Sequence, residues 1–225
     1  MKLISYKINN NIKIGVIKND MIYDINFLDP DICDNMKEFL ENGDQQIKLT
    51  EKVINLNQGD ISVNDVEIIS PVPSPPSVRD AYAFRQHVLT ARRNRGLDMI
   101  PEFDEIPIFY FTNHNAVFGE GDFPIYSKHV DKLDFELECA AVIGKGGRNI
   151  SVSEADQHIM GFMIMNDFSA RALQMQEMKL NLGPAKGKDF GSSFGPYLVT
   201  KDELEPYRQV SEDGGGSLSV DLPAA

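Results

Sequence analysis

Cysteine is nearly absent from this chain of 225 residues: only Cys33 and Cys139 occur. Two cysteines at that separation build neither a disulfide framework nor a zinc-finger spacing, so a reducing, cytoplasmic setting is the expectation. Positive charge is also in short supply. Lys and Arg number 22 against 34 Asp and Glu, giving a net charge of -12. That balance argues against nucleic acid or an anionic membrane as partner, since both would repel the chain. No apolar run approaches the about 18 residues that a membrane span needs. The opening MKLISYKINNNIKIG alternates polar and apolar residues and holds no signal-peptide core. Internal repeats and low-complexity tracts are missing too. What is left, at 42% hydrophobic and 25% charged residues, has the proportions of a globular protein. Its length allows one large domain or a small one followed by a medium one.

The acidic excess leaves room for a site built of carboxylates, and residues 133–145, LDFELECAAVIGK, concentrate it. Phe135, Leu137 and Cys139 alternate with Asp134, Glu136 and Glu138, the period of a β-strand. Glu136 and Glu138 therefore share a face, roughly 7 Å apart, with Asp134 one step further along it. From Cys139 to Ile143 the segment is continuously apolar, as a strand buried on both faces is. Like charges entering a core repel, and each is costly to bury unless paired. A divalent cation answers both problems; an edge strand with its acids in water avoids them.

Residues 1–70 read as a small β-rich domain, with alternating segments at 3–8, 12–17 and 21–25 and helices at 36–40 and 49–56. Four prolines in residues 70–76, SPVPSPP, predict an extended linker and a domain boundary. A second, mostly β domain over 71–225 carries the chemistry-bearing residues. Asp80, Tyr82 and His87 stand close together ahead of an arginine cluster, Arg92, Arg93 and Arg95. A lone histidine is usually structural, and His114 is read so, but the company of His87 favours a functional role. Residues 99–105, MIPEFDE, read as an irregular loop. Further on, 107–111 and 161–165 read as strands, the second ending in Asn166-Asp167. A helix over 169–178 places Arg171 and Gln174 on one face. Residues 186–193, KGKDFGSS, are glycine-rich and carry Lys188. The turn at 119–121 does not match a phosphate loop.

These pieces resemble the fumarylacetoacetate hydrolase superfamily. The matches are Asp80-Ala81-Tyr82 followed by Arg85-Gln86-His87; Asp134-Phe135-Glu136-Leu137-Glu138; Met165-Asn166-Asp167-Phe168-Ser169-Ala170-Arg171 with Gln174; and Gly187-Lys188-Asp189-Phe190-Gly191. The resemblance implies an α+β protein whose catalytic domain is a β-roll or sandwich with short helices. It implies that Glu136, Glu138 and Asp167, with Asp80 as a fourth ligand, hold a divalent cation, Mg²⁺ foremost and Mn²⁺ or Ca²⁺ as alternatives, all suited to oxygen donors. His87 would be the general base. Lys188, Tyr82 and Gln174 would contact the substrate, a small oxo or diketo acid, and Ser192 falls where the family has a hydroxyl near the lysine. The implied activity is metal-dependent hydrolysis of a C–C bond in a diketo or acylpyruvate-like acid, by a homodimer. Decarboxylation or isomerisation of a 2-oxo acid on the same centre, or ligand binding without turnover, are the alternatives.

The chain departs from the family in three places. Thr112-Asn113-His114 stands where smaller members carry Lys-Pro. Thr90 stands where acylpyruvate-hydrolase-like members have a glutamate, leaving Glu102 as a candidate to orient His87. The end, SLSVDLPAA over 217–225, reads as another strand beginning, cut short before the C-terminal elements of the family.

Overall fold

The computed structural model describes residues 1–208; the strand expected from Ser217 lies outside the described residues. The alternating N-terminal segments form a meander of β1 (Lys2–Ile8), β2 (Asn11–Lys18) and β3 (Met21–Asp24). Its hairpins turn at Asn9-Asn10 and Asn19-Asp20, all four with φ between 49° and 64°. Two successive positive φ values make a type I′ turn, a conformation that Asn and Asp tolerate.

Three helices follow: α1 (Ile25–Leu28), α2 (Met36–Glu41) and α3 (Gly43–Leu56). The last begins six residues before the expected Leu49. Its early turns bury Gln46 and Thr50, which break the apolar pattern yet are fully bonded. Gln46 Oε1 accepts from the Cys33 N–H at 2.8 Å and the Thr50 hydroxyl donates to Gln46 O at 2.8 Å. The helices cover one face of the meander around the fully buried Leu3, Ile25, Phe39 and Leu198, each contributing about 1.5–3 kcal/mol. After β4 (Ile61–Ser62) and β5 (Glu67–Ile69), Ser70, Pro71 and Val72 are buried rather than free as a linker. Ser5 Oγ donates to Pro71 O at 2.8 Å, which fastens the segment to β1.

The remainder runs through β6 (Val78–Ala81), α4 (Arg85–Arg93), α5 (Glu102–Glu105), β7 (Phe109–Thr112), β8 (Val117–Phe118) and α6 (Ser127–Val130). Then come β9 (Leu133–Ile143), α7 (Val152–Ala155), β10 (Ile159–Ala170), α8 (Arg171–Glu177), β11 (Ser192–Thr200) and α9 (Lys201–Leu204). The expected loop over 99–105 contains the short helix α5, tied to α4 by an Arg85–Asp104 fork at 3.0 and 3.2 Å.

The architecture is α+β with a mostly antiparallel sheet. Its strands lie in the order β4-β3-β2-β1-β11-β10-β9, with β5 added to β1 and β8 to β11; β6 and β7 make a separate ribbon. Leu3 pairs with Leu198 across β1 and β11, so the strands on either side of the proline segment share one sheet. Two expectations change. Strand β10 does not end at Met165 but continues to Ala170, because Asp167 is paired on both sides, to Glu136 of β9 and Ser192 of β11. Strand β9 is not buried on both faces from Cys139 to Ile143: it lies at the sheet edge, Cys139 is exposed and Ile143 is 61% exposed among the described residues. Among those residues no helix is long and apolar enough to cross a membrane.

Candidate metal centre

The site is assembled by strand register. Asp167 stands opposite Glu136, and Met165 opposite Glu138. Residues paired directly across an antiparallel ladder share a sheet face. The three acids therefore line one face, Asp167 fully buried on the interior strand β10 and the two glutamates half-buried on the edge strand β9. The fourth acid arrives on the ribbon, where Asp80 of β6 pairs with Tyr110 of β7. The Tyr110 hydroxyl lies 2.9 Å from Asp80 Oδ2 and 3.0 Å from Asp167 Oδ2, joining ribbon to sheet. Asp80, Glu138 and Asp167 each offer an oxygen within 4.8 Å of the others.

Glu136, expected as a ligand beside them, is held differently. Its Oε2 accepts from Lys188 Nζ at 2.6 Å and its Oε1 from Arg171 Nη2 at 2.7 Å. Lys188, only 3% exposed, also donates to Asp167 Oδ2 at 2.7 Å. Arg171 reaches Asp134 Oδ2 at 2.9 Å and Gln174 Oε1 at 3.1 Å, so the i, i+3 pair on α8 is a contact. Glu136 is thus the acid that fixes the two cations, and Asp80, Glu138 and Asp167 are the acids that cluster.

The electrostatics divide along the same line. Burial pushes Glu136 up, but the hydrogen bonds from Lys188 and Arg171 outweigh it and hold the carboxyl below its ordinary value. The Arg171 hydrogen bond likewise keeps Asp134 low. Burial, followed by the charges of Asp80 and Asp167, drives Glu138 up to about 7. Asp167 is raised by burial against the opposing pull of Lys188. Burial and the adjacent Asp167 and Asp80 charges raise Tyr110, which keeps it a protonated donor. The clustered acids thus lack positive charge that the cationic side chains do not supply.

A cation fits that deficit. Lys188 and Tyr110 both engage Oδ2 of Asp167, while its Oδ1 is buried with no hydrogen-bond partner among the described residues. An unsatisfied buried acceptor costs about 1–3 kcal/mol, more when charged. Carboxylate oxygens from Asp80, Glu138 and Asp167 within 4.8 Å of one another are the hard donors that Mg²⁺, Mn²⁺ or Ca²⁺ takes. A pH dependence follows. Between the ordinary carboxylate value and about 7, metal-free folded protein holds more protons than unfolded protein, because Glu138 is raised, so stability falls as pH rises. Melts of chelator-treated protein should give a higher Tm near about pH 5.5 than near about pH 8. A Tm rising across that window would overturn the crowding of Glu138.

The other expected residues lie nearby in sequence but outside this bonded network. His87 is exposed in the first turn of α4, its ring centroid 6.1 Å from that of Tyr82, which is exposed too. Among the described residues neither side chain makes a hydrogen bond, and neither Thr90 nor Glu102 engages His87. Ser192 is buried in β11 opposite Asp167, its N–H donating to Ala116 O at 3.0 Å. Tyr110 is a site residue that the sequence analysis does not single out. Its signal is the alternation Phe109-Tyr110-Phe111, which turns one polar group away from two exposed rings, but nothing in the sequence announces the ribbon that seats it opposite Asp80.

A family model described as fumarylacetoacetate (FAA) hydrolase C-terminal matches residues 77–214, more than half of the chain. A fumarylacetoacetase from Oryza sativa subsp. japonica is 47% identical over 170 residues, covering 65% of this chain and 38% of that protein. An oxaloacetate tautomerase from Xenopus laevis, described as mitochondrial, is 29% identical over 184 residues, covering 81% of this chain and 55% of that one. The chain therefore spans 38% and 55% of the lengths of these two curated relatives. Among solved structures, a maleylpyruvate hydrolase from Sphingobium sp. SYK-6 in complex with manganese(II) and pyruvate superposes with a TM-score of 0.62 at 20% identity, covering 90% of this chain and 68% of that one.

Proposed function

The chain belongs to the fumarylacetoacetate hydrolase family, and from that premise we propose that it is a divalent-cation-dependent hydrolase of a C–C bond in a small diketo or acylpyruvate-like acid. The observation that carries the reading is the convergence of carboxylate oxygens of Asp80, Glu138 and Asp167 to within 4.8 Å of one another; among the described residues Asp167 Oδ1 is also buried without a hydrogen-bond partner. These three would hold the cation, with Mg²⁺ the first candidate and Mn²⁺ an equally suited probe. When bound, the cation supplies Lewis-acid polarisation of adjacent substrate oxygens.

The chain's own residues do the rest. An ammonium has three donors; Lys188 uses two on Glu136 and Asp167, leaving the third for an oxyanion developing on the substrate. Gln174 gives its carbonyl oxygen to Arg171, which leaves its amide N–H groups for the substrate. His87, exposed on α4, takes a proton from water as the water oxygen bonds to the carbonyl carbon. The C–C bond then breaks, its electron pair leaves on the enolate fragment, and that fragment takes up a proton.

The match to an oxaloacetate tautomerase supports one other reading. The same base and the same lysine would move a proton within an oxo acid, with no water attack. Acylpyruvates incubated with the Mn²⁺-loaded protein and followed by both mass and enol absorbance separate the two: hydrolysis gives two fragments, whereas tautomerisation leaves the mass unchanged and speeds keto–enol interconversion. Neither outcome, with Mn²⁺ demonstrably bound and across a panel of such acids, would sink the enzymatic reading. His87→Ala should retain Mn²⁺ and lose turnover by roughly 10²-fold or more. Turnover near that of the unaltered protein would remove His87 from the role of base.

A further inference from the structure

We propose that Glu177 is a positioning residue that sets the Lys188 ammonium in the centre; this deepens the functional reading above and rests on it for the role of Lys188. Residues 181–191 belong to no helix or strand, yet Lys188 within them is 3% exposed and bonded to two carboxylates. Something other than regular structure must hold that backbone.

Glu177, the last residue of α8, is 9% exposed, and both its oxygens are spent on three successive backbone N–H groups. Oε1 accepts from Ala185 at 2.9 Å and Gly187 at 3.0 Å, and Oε2 from Lys186 at 2.7 Å. Consecutive N–H groups curled around one carboxylate form a nest for an anion that the protein itself supplies, with bonds strengthened by the acceptor's charge. The same loop is gripped from a second side. The Ala170 N–H, at the end of β10, donates to Gly187 O at 2.8 Å. A Cβ on Gly187 would lie 2.7 Å from Gln174 Cβ and 2.9 Å from Gln174 N, so the backbone is pressed onto α8 itself. The N–H groups of Lys188 and Asp189 close the turn onto Ala185 O at 2.9 and 2.7 Å. The point from which the Lys188 side chain departs is therefore fixed against the helix that carries Arg171 and the strand that carries Asp167. Glutamine cannot substitute, because three donors need two acceptor oxygens and an amide has one.

Glu177→Gln should loosen Lys188 without touching any group in the cluster. The direct readout is amine acylation of metal-free protein, quantified peptide by peptide by mass spectrometry. Lys188 labelling should rise roughly tenfold or more, the scale of one lost charge-assisted hydrogen bond. Gly187→Ala, which pushes the loop from the opposite side, should do the same and stands in if the first variant does not fold. With Mn²⁺ and substrate, Glu177→Gln should lower kcat rather than KM, and adding it to Lys188→Met should bring no further loss. Unchanged Lys188 labelling in both single variants, or additive losses in the double variant, would overturn the proposal. The labelling needs neither metal nor substrate. Unaltered protein that binds no Mn²⁺ would therefore defeat the functional reading while this test still returned its answer.

Discussion

Asp167→Ala should abolish Mn²⁺ binding, followed by electron paramagnetic resonance or calorimetry, and reduce turnover to background. Among the described residues Asp167 is the most firmly held member of the cluster before any cation arrives: it is fully buried, and Lys188 and Tyr110 both fix its Oδ2. It is one of the three acids that would hold the cation, and among the described residues its Oδ1 is buried without a hydrogen-bond partner. Truncation removes that ligand and also leaves Lys188 with Glu136 alone and Tyr110 with Asp80 alone. Breaking a buried charge pair by deleting one partner costs about 3–5 kcal/mol, so the variant should melt earlier as well. Glu138→Gln provides the contrast. It too should lose Mn²⁺, but it deletes a carboxylate that burial and its neighbours have already pushed to about 7. The metal-free variant should therefore be more stable than the unaltered protein near about pH 8, where Glu138 is otherwise forced to ionise. One variant loses metal and stability together; the other loses metal and gains stability. Unchanged Mn²⁺ affinity in both would end the metal-centre assignment.

The contrast between these two acids also marks how far the sequence could be read. Alternation in residues 133–138 was enough to place Glu136 and Glu138 on one face, because strand periodicity is local. The meander β1–β3 was legible for the same reason, its turns being marked by asparagine and aspartate. Register was not legible. Pairing of Asp167 with Glu136, like the reach of Lys188 and Arg171 to Glu136, is a long-range event that no local pattern encodes. Tyr110 and Glu177 escaped for a related cause. Each acts through a partner brought in by folding, the first through the β6–β7 ribbon and the second through a loop without regular structure. The start of α3 is hidden because buried Gln46 puts a polar side chain on the covered face of the first turns, its oxygen bonded to the Cys33 N–H.

Lys188→Met should have the other large effect, and its two halves should respond differently to metal. The substitution keeps an apolar stem of similar length and removes the ammonium that bridges Glu136 and Asp167. The clustered Asp80, Glu138 and Asp167 then lose the ammonium that offset them, and among the described residues Glu136 keeps only its pair with Arg171. Without the lysine, Asp167 rises further and Glu136 loses part of what holds it low. The folded state then binds protons more readily than the unfolded one, so the loss of stability should be larger near about pH 8 than near about pH 5.5. Saturating Mn²⁺ restores positive charge to the cluster and should raise the Tm of the variant by more than it raises that of the unaltered protein, through binding to the folded state alone. Turnover should not follow. The third ammonium proton, the one left after Glu136 and Asp167 are served, is gone from the position where an oxyanion develops, and removing such a donor lowers kcat by roughly 10²–10³. Stability rescued by Mn²⁺ with kcat still depressed would show the lysine acting on substrate. Rescue of both would make it a counter-ion to the carboxylates and nothing more.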